Sequence, residues 1–572
     1  MQPAEKPLAP GGSRCRPRSP RAGAAPGGER LPALDALGAR PSERSGAAAA
    51  AWRAPGAAQP CTGWRGALRR AAAPGRPPAP RRGGGGAGAR PWGWGLALGL
   101  ALGVKADGGQ AAEASALPPP RGFGAAIERS RDLLRRIKDE AGIPGILVGV
   151  SVDGKEVWSE GLGYADVENR VVCKPETIMR IASISKCLTM MAVAKLWEEG
   201  KLDLDAPVQK YVPEFPEKVY EGEKVAITTR LLVSHLSGIR HYEKDITKVK
   251  EEKEKANRAF KLTKPDRDKE QEGKGIEKAD PVKPRKEHEG EVKSRNSKPG
   301  RRDKEFEQEE YYLKEKFESV IESLKIFKND PLFFKPGSQF LYSTYGFTLL
   351  SAVVERVSGQ KFTDYMLKMF RDLDMLSTVL DDNEAMIYNR ARCYVYNKKG
   401  RLVNAPYVDN SYKWAGGGFL SSVGDLLKFG NALLYSYQAG QFKKNNCKLL
   451  PGYLKPDTVA MMWTPVPKTE VSWDRDGKYA MAWAVVEKKQ QCGCCRQQRH
   501  YASHTGGAVG ASSVLLILPE ELDSEALGTG LVTPPRGVIV SIICNMQSVS
   551  LNSTALKIAR EFDKEKWAQY ID

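Results

Sequence analysis

Ser183-Ile184-Ser185-Lys186 sets a hydroxyl and an amine three residues apart. On a helix, positions i and i+3 share a face. A lysine there, with its pKa depressed by loss of solvent, can take the serine proton and turn the oxygen into a nucleophile. Ser185 is adjacent to Lys186 and points away from that face. The same spacing occurs in Ser358-Gly359-Gln360-Lys361, where Ser-Gly reads as the end of a helix. Ser183 instead precedes Cys187–Trp197, an apolar segment rich in Met, Ala and Leu. A serine at the start of such a helix faces the positive end of its dipole.

Two other segments carry groups of the right type. Tyr342-Ser343-Thr344 follows the turn Lys335-Pro336-Gly337-Ser338 and precedes an apolar helix from Gly346 to Val357. A loop tyrosine beside a lysine can act as a general base once its phenolate is stabilised, although a tyrosine between two apolar elements also reads as core packing. His504-Thr505-Gly506-Gly507 ends a predicted strand, and its glycines allow a ligand to approach the backbone; its other reading is a glycine-rich turn with a surface histidine. Ser234-His235-Leu236-Ser237-Gly238 and Ala415-Gly416-Gly417-Gly418-Phe419 are further loops of small residues, uninformative singly. Cys492, Cys494, Cys495, His500 and His504 fall within 13 residues. That density permits zinc, but the spacing fits no standard finger, and free or disulfide-bonded cysteines in a hairpin loop are the favoured reading. No metal or other cofactor is expected.

The elements that must position these groups lie at both ends of the chain. Ile127 to Ala141 has helical periodicity. Ile146–Val152 is an apolar strand, and Asp153-Gly154 turns it into Lys155–Gly161 as a hairpin. Tyr479–Val486, Arg499–Ser503, Ser512–Leu518 and Gly537–Cys544 are predicted strands, and Ser553 to Phe562 a final helix. Strands first and last with helices between predict an α+β fold: one antiparallel sheet built from both ends, flanked by helices, with a helical domain inserted.

Composition limits the partners. The formal charge is +19 over 572 residues. Residues 1–91 hold 15 Arg, one Lys and four acids, hence +12; residues 244–310 hold 21 basic and 18 acidic groups, hence +3. The remainder carries 19 − 12 − 3 = +4, so the basic total describes a leader and nucleic acid is not an expected partner. Residues 1–120 read as a leader rich in Ala, Gly, Pro and Arg, without a core. Its Arg-rich, acid-poor stretch from Trp64 to Arg90 resembles a mitochondrial transit peptide. The apolar run Trp92–Val104 is too short to span a membrane as a helix and adds the pattern of a sorting signal to the inner membrane or intermembrane space, the alternative being a tail with no address. Residues 121–572 are expected to form the folded domain that carries the candidate catalytic groups. Within it residues 244–310, with 39 of 67 residues charged, read as a solvated surface insertion. Ten cysteines in so long a chain do not indicate a disulfide scaffold; Cys173, Cys187, Cys393 and Cys544 read as buried thiols.

Ser-x-x-Lys, Tyr342 and His504-Thr505-Gly506, in this order, resemble the serine β-lactamase and penicillin-binding protein family, especially its class C and D-alanyl-D-alanine carboxypeptidase branch. The similarity runs over about residues 125–565 without the insertion, through Arg180–Lys186, Leu232–Gly238, Phe334–Leu350, Gly416–Phe429 and His504–Gly507. It implies a serine hydrolase with Ser183 as acyl-ester nucleophile, Lys186 as its activator and Tyr342 as proton shuttle. The amides of Ser183 and Ala508 would form the oxyanion hole, with His504, Thr505, Gly506 and Ala508 on the substrate. Two residues depart from the family. Thr344 stands where an asparagine would orient substrate, and His504 replaces the lysine before Thr-Gly. These departures point away from β-lactams and peptidoglycan and toward peptide, amide or ester bonds, with His504 expected to titrate near ~6.5 and to draw acidic substrates only when protonated. With leader and insertion included, the chain is similar to mitochondrial members of the family. That similarity implies homo-oligomeric or polymeric assembly, a link to lipid metabolism and peripheral membrane association. A self-assembling scaffold that only retains the fold is the alternative.

Overall fold

The structure is a computed structural model that describes residues 122–251, 254, 310–442, 450–490, 497–521 and 534–568. The leader, most of the charged insertion and Cys492, Cys494 and Cys495 lie outside the described residues. Helix α1 (Gly124–Ala141) ends at Gly142 in the left-handed conformation. Strand β1 (Gly145–Val152) turns through Asp153 and Gly154, whose φ values of 50° and 81° are those of a type I′ hairpin. Strand β2 (Lys155–Asp166) runs five residues beyond its predicted end and pairs with β3 (Val171–Val172).

The middle of the chain contributes helices α2 (Ser185–Glu198), α3 (Thr344–Ser358) and α4 (Val423–Phe442). It also forms a small sheet in the order β4 (Met179–Arg180), β6 (Phe419–Ser421), β5 (Val379–Leu380). Helix α3 stops where Ser358-Gly359 predicts, with Gly359 at φ 68°.

The C-terminal strands are β7 (Gly477–Tyr479), β8 (Ala484–Val486), β9 (Tyr501–Ala508), β10 (Ala511–Pro519) and β11 (Gly537–Cys544), followed by α5 (Asn552–Ala568). The single strand expected over Tyr479–Val486 is thus a hairpin of two short strands. Its turn is closed by the Ala480 amide on the Trp483 carbonyl, 2.7 Å, with Ala482 at φ 60°. Every residue of Tyr479–Val486 is buried, so hydrophobic pattern could not reveal the turn. Strand β9 begins two residues later than expected and runs five further, carrying His504 to Ala508 inside the strand.

These strands form one antiparallel sheet in the order β7-β8-β9-β10-β11-β1-β2-β3. Its two chain ends join where Ile146 to Val152 lie opposite Cys544 to Val538. Both faces are covered. One packs Ile146, Val148, Val150, Val540 and Ile542 against Phe123, Leu134, Ile558 and Phe562 of the terminal helices. The other packs Leu147, Leu515, Ile517 and Ile539 against the inserted helices, with α2 in their midst. At about 1.5–3 kcal/mol for each large apolar side chain buried, these two layers hold the sheet together.

One end of the sheet is also closed by charge. Lys566 of α5, 3% exposed, contacts Asp153 at 2.5 Å and Glu520, while Arg536 contacts Asp153 at 2.7 Å and Glu520 at 2.9 Å. Removing one cation leaves two carboxylates with a single partner, which costs roughly 3 kcal/mol in such settings. Lys566→Ala is therefore expected to lower the denaturant midpoint by that equivalent without changing the m-value. A midpoint shift under about 0.5 kcal/mol, the scale of an ordinary surface substitution, would show that the network is not stabilising.

Candidate functional site

Ser183 lies in a 3-10 turn (Ala182–Ile184) that leads into α2, and Lys186 is the second residue of that helix. Lys186 Nζ is 3.1 Å from Ser183 Oγ and donates to the Gly416 carbonyl at 2.6 Å. Its ammonium position also faces the rings of Tyr342 (4.8 Å) and Phe347 (5.5 Å). Among the described residues no carboxylate is a partner of Lys186, and burial lowers its pKa to about 7, with Lys413 pushing in the same direction. The Tyr342 hydroxyl is hydrogen-bonded to Ser183, and burial drives its pKa up rather than toward the phenolate. Ser185 is buried on another side, its Oγ accepting from the Phe419 amide at 3.3 Å.

Ala182, the residue before Ser183, has φ 49°, a left-handed conformation that non-glycine residues seldom adopt. The strand beneath it is tightly apposed. A Cβ on Gly506 would lie 2.4 Å from the Ile181 carbonyl and 2.2 Å from Ser513 Oγ, so only glycine lets β9 pass under the Ser183 turn. Strand β8 pairs with β9 only at Tyr501–Ser503, which leaves the outer edge of β9 from His504 to Ala508 open toward Ser183. Strand β9 is thus an edge over these residues and interior to the sheet elsewhere.

A cavity of about 760 Å³ is lined by Ser183, Tyr342, Thr344, Thr505, Gly507 and Ala508, among others. The structure thus brings together Ser183, Lys186, Tyr342, Thr505 and Ala508. Gly506 sits behind them as a spacer, and His504 is not among the lining residues. His504 is fully buried. Its Nδ1 donates to the Thr505 carbonyl at 2.6 Å, so its Nε2 accepts from the Tyr479 hydroxyl at 3.0 Å. That hydroxyl in turn accepts from His235 Nε2 at 3.2 Å, and His235 Nδ1 accepts from the Ser343 amide at 3.2 Å. The chain of bonds is complete with both imidazoles neutral. Burial, followed by the charge of Lys186, lowers the His504 pKa to about 3. This corrects the expectation of a histidine that titrates near neutrality in contact with substrate.

Several residues at the site carried no signal in the sequence. His235, from an uninformative loop, lies tilted against Tyr342 with ring centroids 4.3 Å apart. Lys413 lines the cavity at 5% exposure, ringed by Tyr412 (5.0 Å), Tyr311 (5.2 Å) and Tyr242 (5.7 Å). Burial, then the charge of Arg180, lowers its pKa to about 7. Thr344, singled out in the sequence as a departure from the resembled family, does line the cavity, and its hydroxyl meets Tyr242. Tyr242, Val249 and Tyr311, which also line it, belong to the roots of the charged insertion. A ligand-sized signal could not be read from any of these because lysine, tyrosine and valine at unrelated positions form no spaced motif.

The Beta-lactamase family profile matches residues 130–276 and 295–559. Serine beta-lactamase-like protein LACTB, mitochondrial, of Mus musculus is 74% identical over 457 residues, 79% of this chain and 83% of that protein. The Homo sapiens protein of the same name is 73% identical over 456 residues, with the same coverage. Among solved structures, EstCE1, a hydrolase with promiscuous acyltransferase activity, superposes with a TM-score of 0.51 at 18% identity, covering 76% of this chain and 98% of that one. That likeness concerns the fold.

Buried neutral histidines make stability depend on pH. His235, His241 and His504 have folded pKa values below the unfolded ~6.5, so the unfolded chain binds more protons as pH falls and the fold is destabilised. Between pH 6.5 and 5.5 each is expected to remove about 1 kcal/mol, about 3 kcal/mol together. Denaturant titrations across that interval check this; a flat midpoint, or histidine resonances of these residues titrating above pH 5.5, would contradict it.

Proposed function

The chain belongs to the β-lactamase family, and on that premise we propose that it is a serine hydrolase that opens an amide, peptide or ester bond through an acyl-enzyme on Ser183. The observation that carries this reading is the solvent-stripped Lys186 amine, 3.1 Å from Ser183 Oγ. A neutral amine has one lone pair and two N–H bonds. With one N–H on the Gly416 carbonyl, the lone pair is free to accept the serine proton as Oγ bonds to the substrate carbonyl carbon. The carbonyl electron pair moves onto oxygen, where the amides of Ser183 and Ala508 receive it. Collapse of this tetrahedral species expels the amine or alcohol, which takes the proton held by Lys186 through the Tyr342 hydroxyl. Water then repeats the sequence on the ester and frees Ser183. Tyr342 works as a phenol that relays a proton, since its burial opposes a phenolate. Lys186 is the base, so acylation rises with pH through about 7. A scaffold that only assembled would have no use for a desolvated lysine against a serine, which favours hydrolysis over that alternative.

The arginine-rich leader and the mitochondrial relatives support a mitochondrial address, with the intermembrane space indicated by the apolar run after the basic stretch. The charged insertion is read as a surface excursion. Arg240, buried just before it, and Glu310, its last residue, form an ion pair at 2.7 Å, which supports a fold that closes without the segment between.

Two measurements test the reading. Ser183→Ala is expected to abolish covalent labelling by a fluorophosphonate, while Ser185→Ala and Ser358→Ala retain it; an adduct formed at the normal rate on Ser183→Ala would refute the nucleophile. The second concerns Lys413, which together with Arg475 lines the cavity with the basic groups that His504 does not supply. Its charge is present below about pH 7 and lost above it. The ratio of kcat/KM for a carboxylate-bearing substrate to that for its neutral isostere should therefore fall as pH rises through about 7; taking the ratio cancels the opposite trend from Lys186. Lys413→Met should lower the ratio at pH 6 about tenfold, the scale of one charge-assisted hydrogen bond, and flatten its pH profile. An unchanged ratio in that variant would remove Lys413 from substrate recognition.

A further inference from the structure

We propose that Arg180 is a positioning residue for the oxyanion hole, setting the spacing between the Ser183 and Ala508 amides. The inference rests on the reading of Ser183 as nucleophile. Those two amides come from different parts of the fold. Ser183 follows β4, in the small three-stranded sheet, whereas Ala508 ends β9 in the eight-stranded sheet. Hydrogen bonding within either sheet therefore fixes one amide and not the other.

Arg180 connects them. It ends β4, three residues before Ser183, and its Nη1 donates to the Val509 carbonyl at 2.8 Å, one residue after Ala508. Its Nε donates to Asp381 Oδ2 at 2.6 Å. Asp381 is held so firmly that it serves as an anchor. It is 1% exposed, accepts from Arg390 Nη2 at 2.6 Å and Asn410 Nδ2 at 2.5 Å, and its amide donates to the Gly418 carbonyl at 2.8 Å. The planar guanidinium thus has one edge on a fixed carboxylate and another N–H on the turn beyond Ala508, a fork that lysine cannot reproduce. Ser513 Oγ on the neighbouring strand β10, which donates to the Ile181 carbonyl at 2.7 Å, makes a second bond from the β9–β10 hairpin to the segment that leads to Ser183. The two ties thus fall on Arg180 and Ile181, and Ala182 follows them directly in its left-handed conformation. Such a conformation persists only where the surroundings over-determine it.

A clamp of this kind has a kinetic signature that a stabilising ion pair lacks. Oxyanion donors act on the transition state, so a small displacement lowers kcat while leaving ground-state binding intact. Arg180→Lys in the full chain keeps the positive charge but cannot span both acceptors. With a neutral activated ester as substrate, kcat per folded molecule is expected to fall about 10²-fold, the lower end for loss of one oxyanion donor, with KM within about threefold of wild type by the same transition-state argument. Affinity for a phenylboronate, which forms a tetrahedral adduct on a nucleophilic serine, should weaken by a similar factor. Asp381→Asn, which keeps the shape and one acceptor, should give a smaller fall in kcat, about tenfold. Wild-type kcat per folded molecule in both variants, or a rise in KM alone, would overturn the proposal. So would failure of both variants to fold, which would assign the pair to stability. If instead Ser183→Ala still turned over the ester, the nucleophile reading itself would fail, whatever the Arg180 variants did.

Discussion

An amine without a carboxylate lies near the centre of this protein, and much of the surrounding structure follows from keeping it so. A lysine placed out of water either finds a counter-ion or gives up its proton. Lys566 takes the first course, between Asp153 and Glu520. Lys186 takes the second: its contacts are a serine hydroxyl, a backbone carbonyl and two aromatic rings. Helix α2 is buried along nearly its whole length, so the amine cannot reach solvent. The same helix fixes the acceptor, since Thr189 Oγ1 binds the Ala415 carbonyl at 3.0 Å, next to the Gly416 carbonyl that Lys186 uses.

The groups around that amine obey the same constraint. His235, His241 and His504 all feel the repulsion of Lys186, and burial moves each below its ordinary range. They survive as neutral hydrogen-bonding groups because each has an acceptor or donor matched to one tautomer. The Ser343 amide fixes His235, the Thr344 amide at 3.3 Å fixes His241, and the Thr505 carbonyl fixes His504. Ser343 and Thr344 immediately follow Tyr342, so these bonds also hold the tyrosine loop against the serine. A lysine at position 504 would add a second buried amine beside the first. Histidine fills the space with a ring that can remain uncharged, and basic groups line the cavity instead at Arg475 and at Lys413, the latter near Asp381 and Asp409.

The parts legible in the sequence were those set by local chemistry. Apolar strands at both ends, the Asp153-Gly154 turn, the Ser358-Gly359 helix stop and the Ser183–Lys186 spacing depend on neighbours in the chain, and each is found, with strand ends shifted by up to five residues. The parts that were not legible depend on distant contacts. The Tyr479–Val486 hairpin turns inside an apolar run, where burial on all sides erases any pattern. The direction of the His504 ring is decided by Tyr479, 25 residues away, and by the pleat of a strand longer than its apolar stretch suggests. Lys413 and the roots of the insertion reach the cavity only through the packing of helices far apart in sequence.

The insertion illustrates how a fold tolerates a long charged segment beside its working centre. Arg240, 2% exposed, joins Glu310 and Asp330 and also donates to the His241 carbonyl. Glu310 receives the Tyr345 hydroxyl at 2.5 Å and Lys244 at 2.9 Å. These bonds bring together residues 70 positions apart and fix both exits of the segment from the domain. Closing a loop costs free energy that grows only with the logarithm of its length, so once the roots are held, many residues between them add little to that cost. The roots have a second consequence. Tyr242 and Tyr311 stand over Lys413, and Tyr242 meets the Thr344 hydroxyl. The clamp at the two ends of the charged segment therefore also builds one wall of the cavity from aromatic rings.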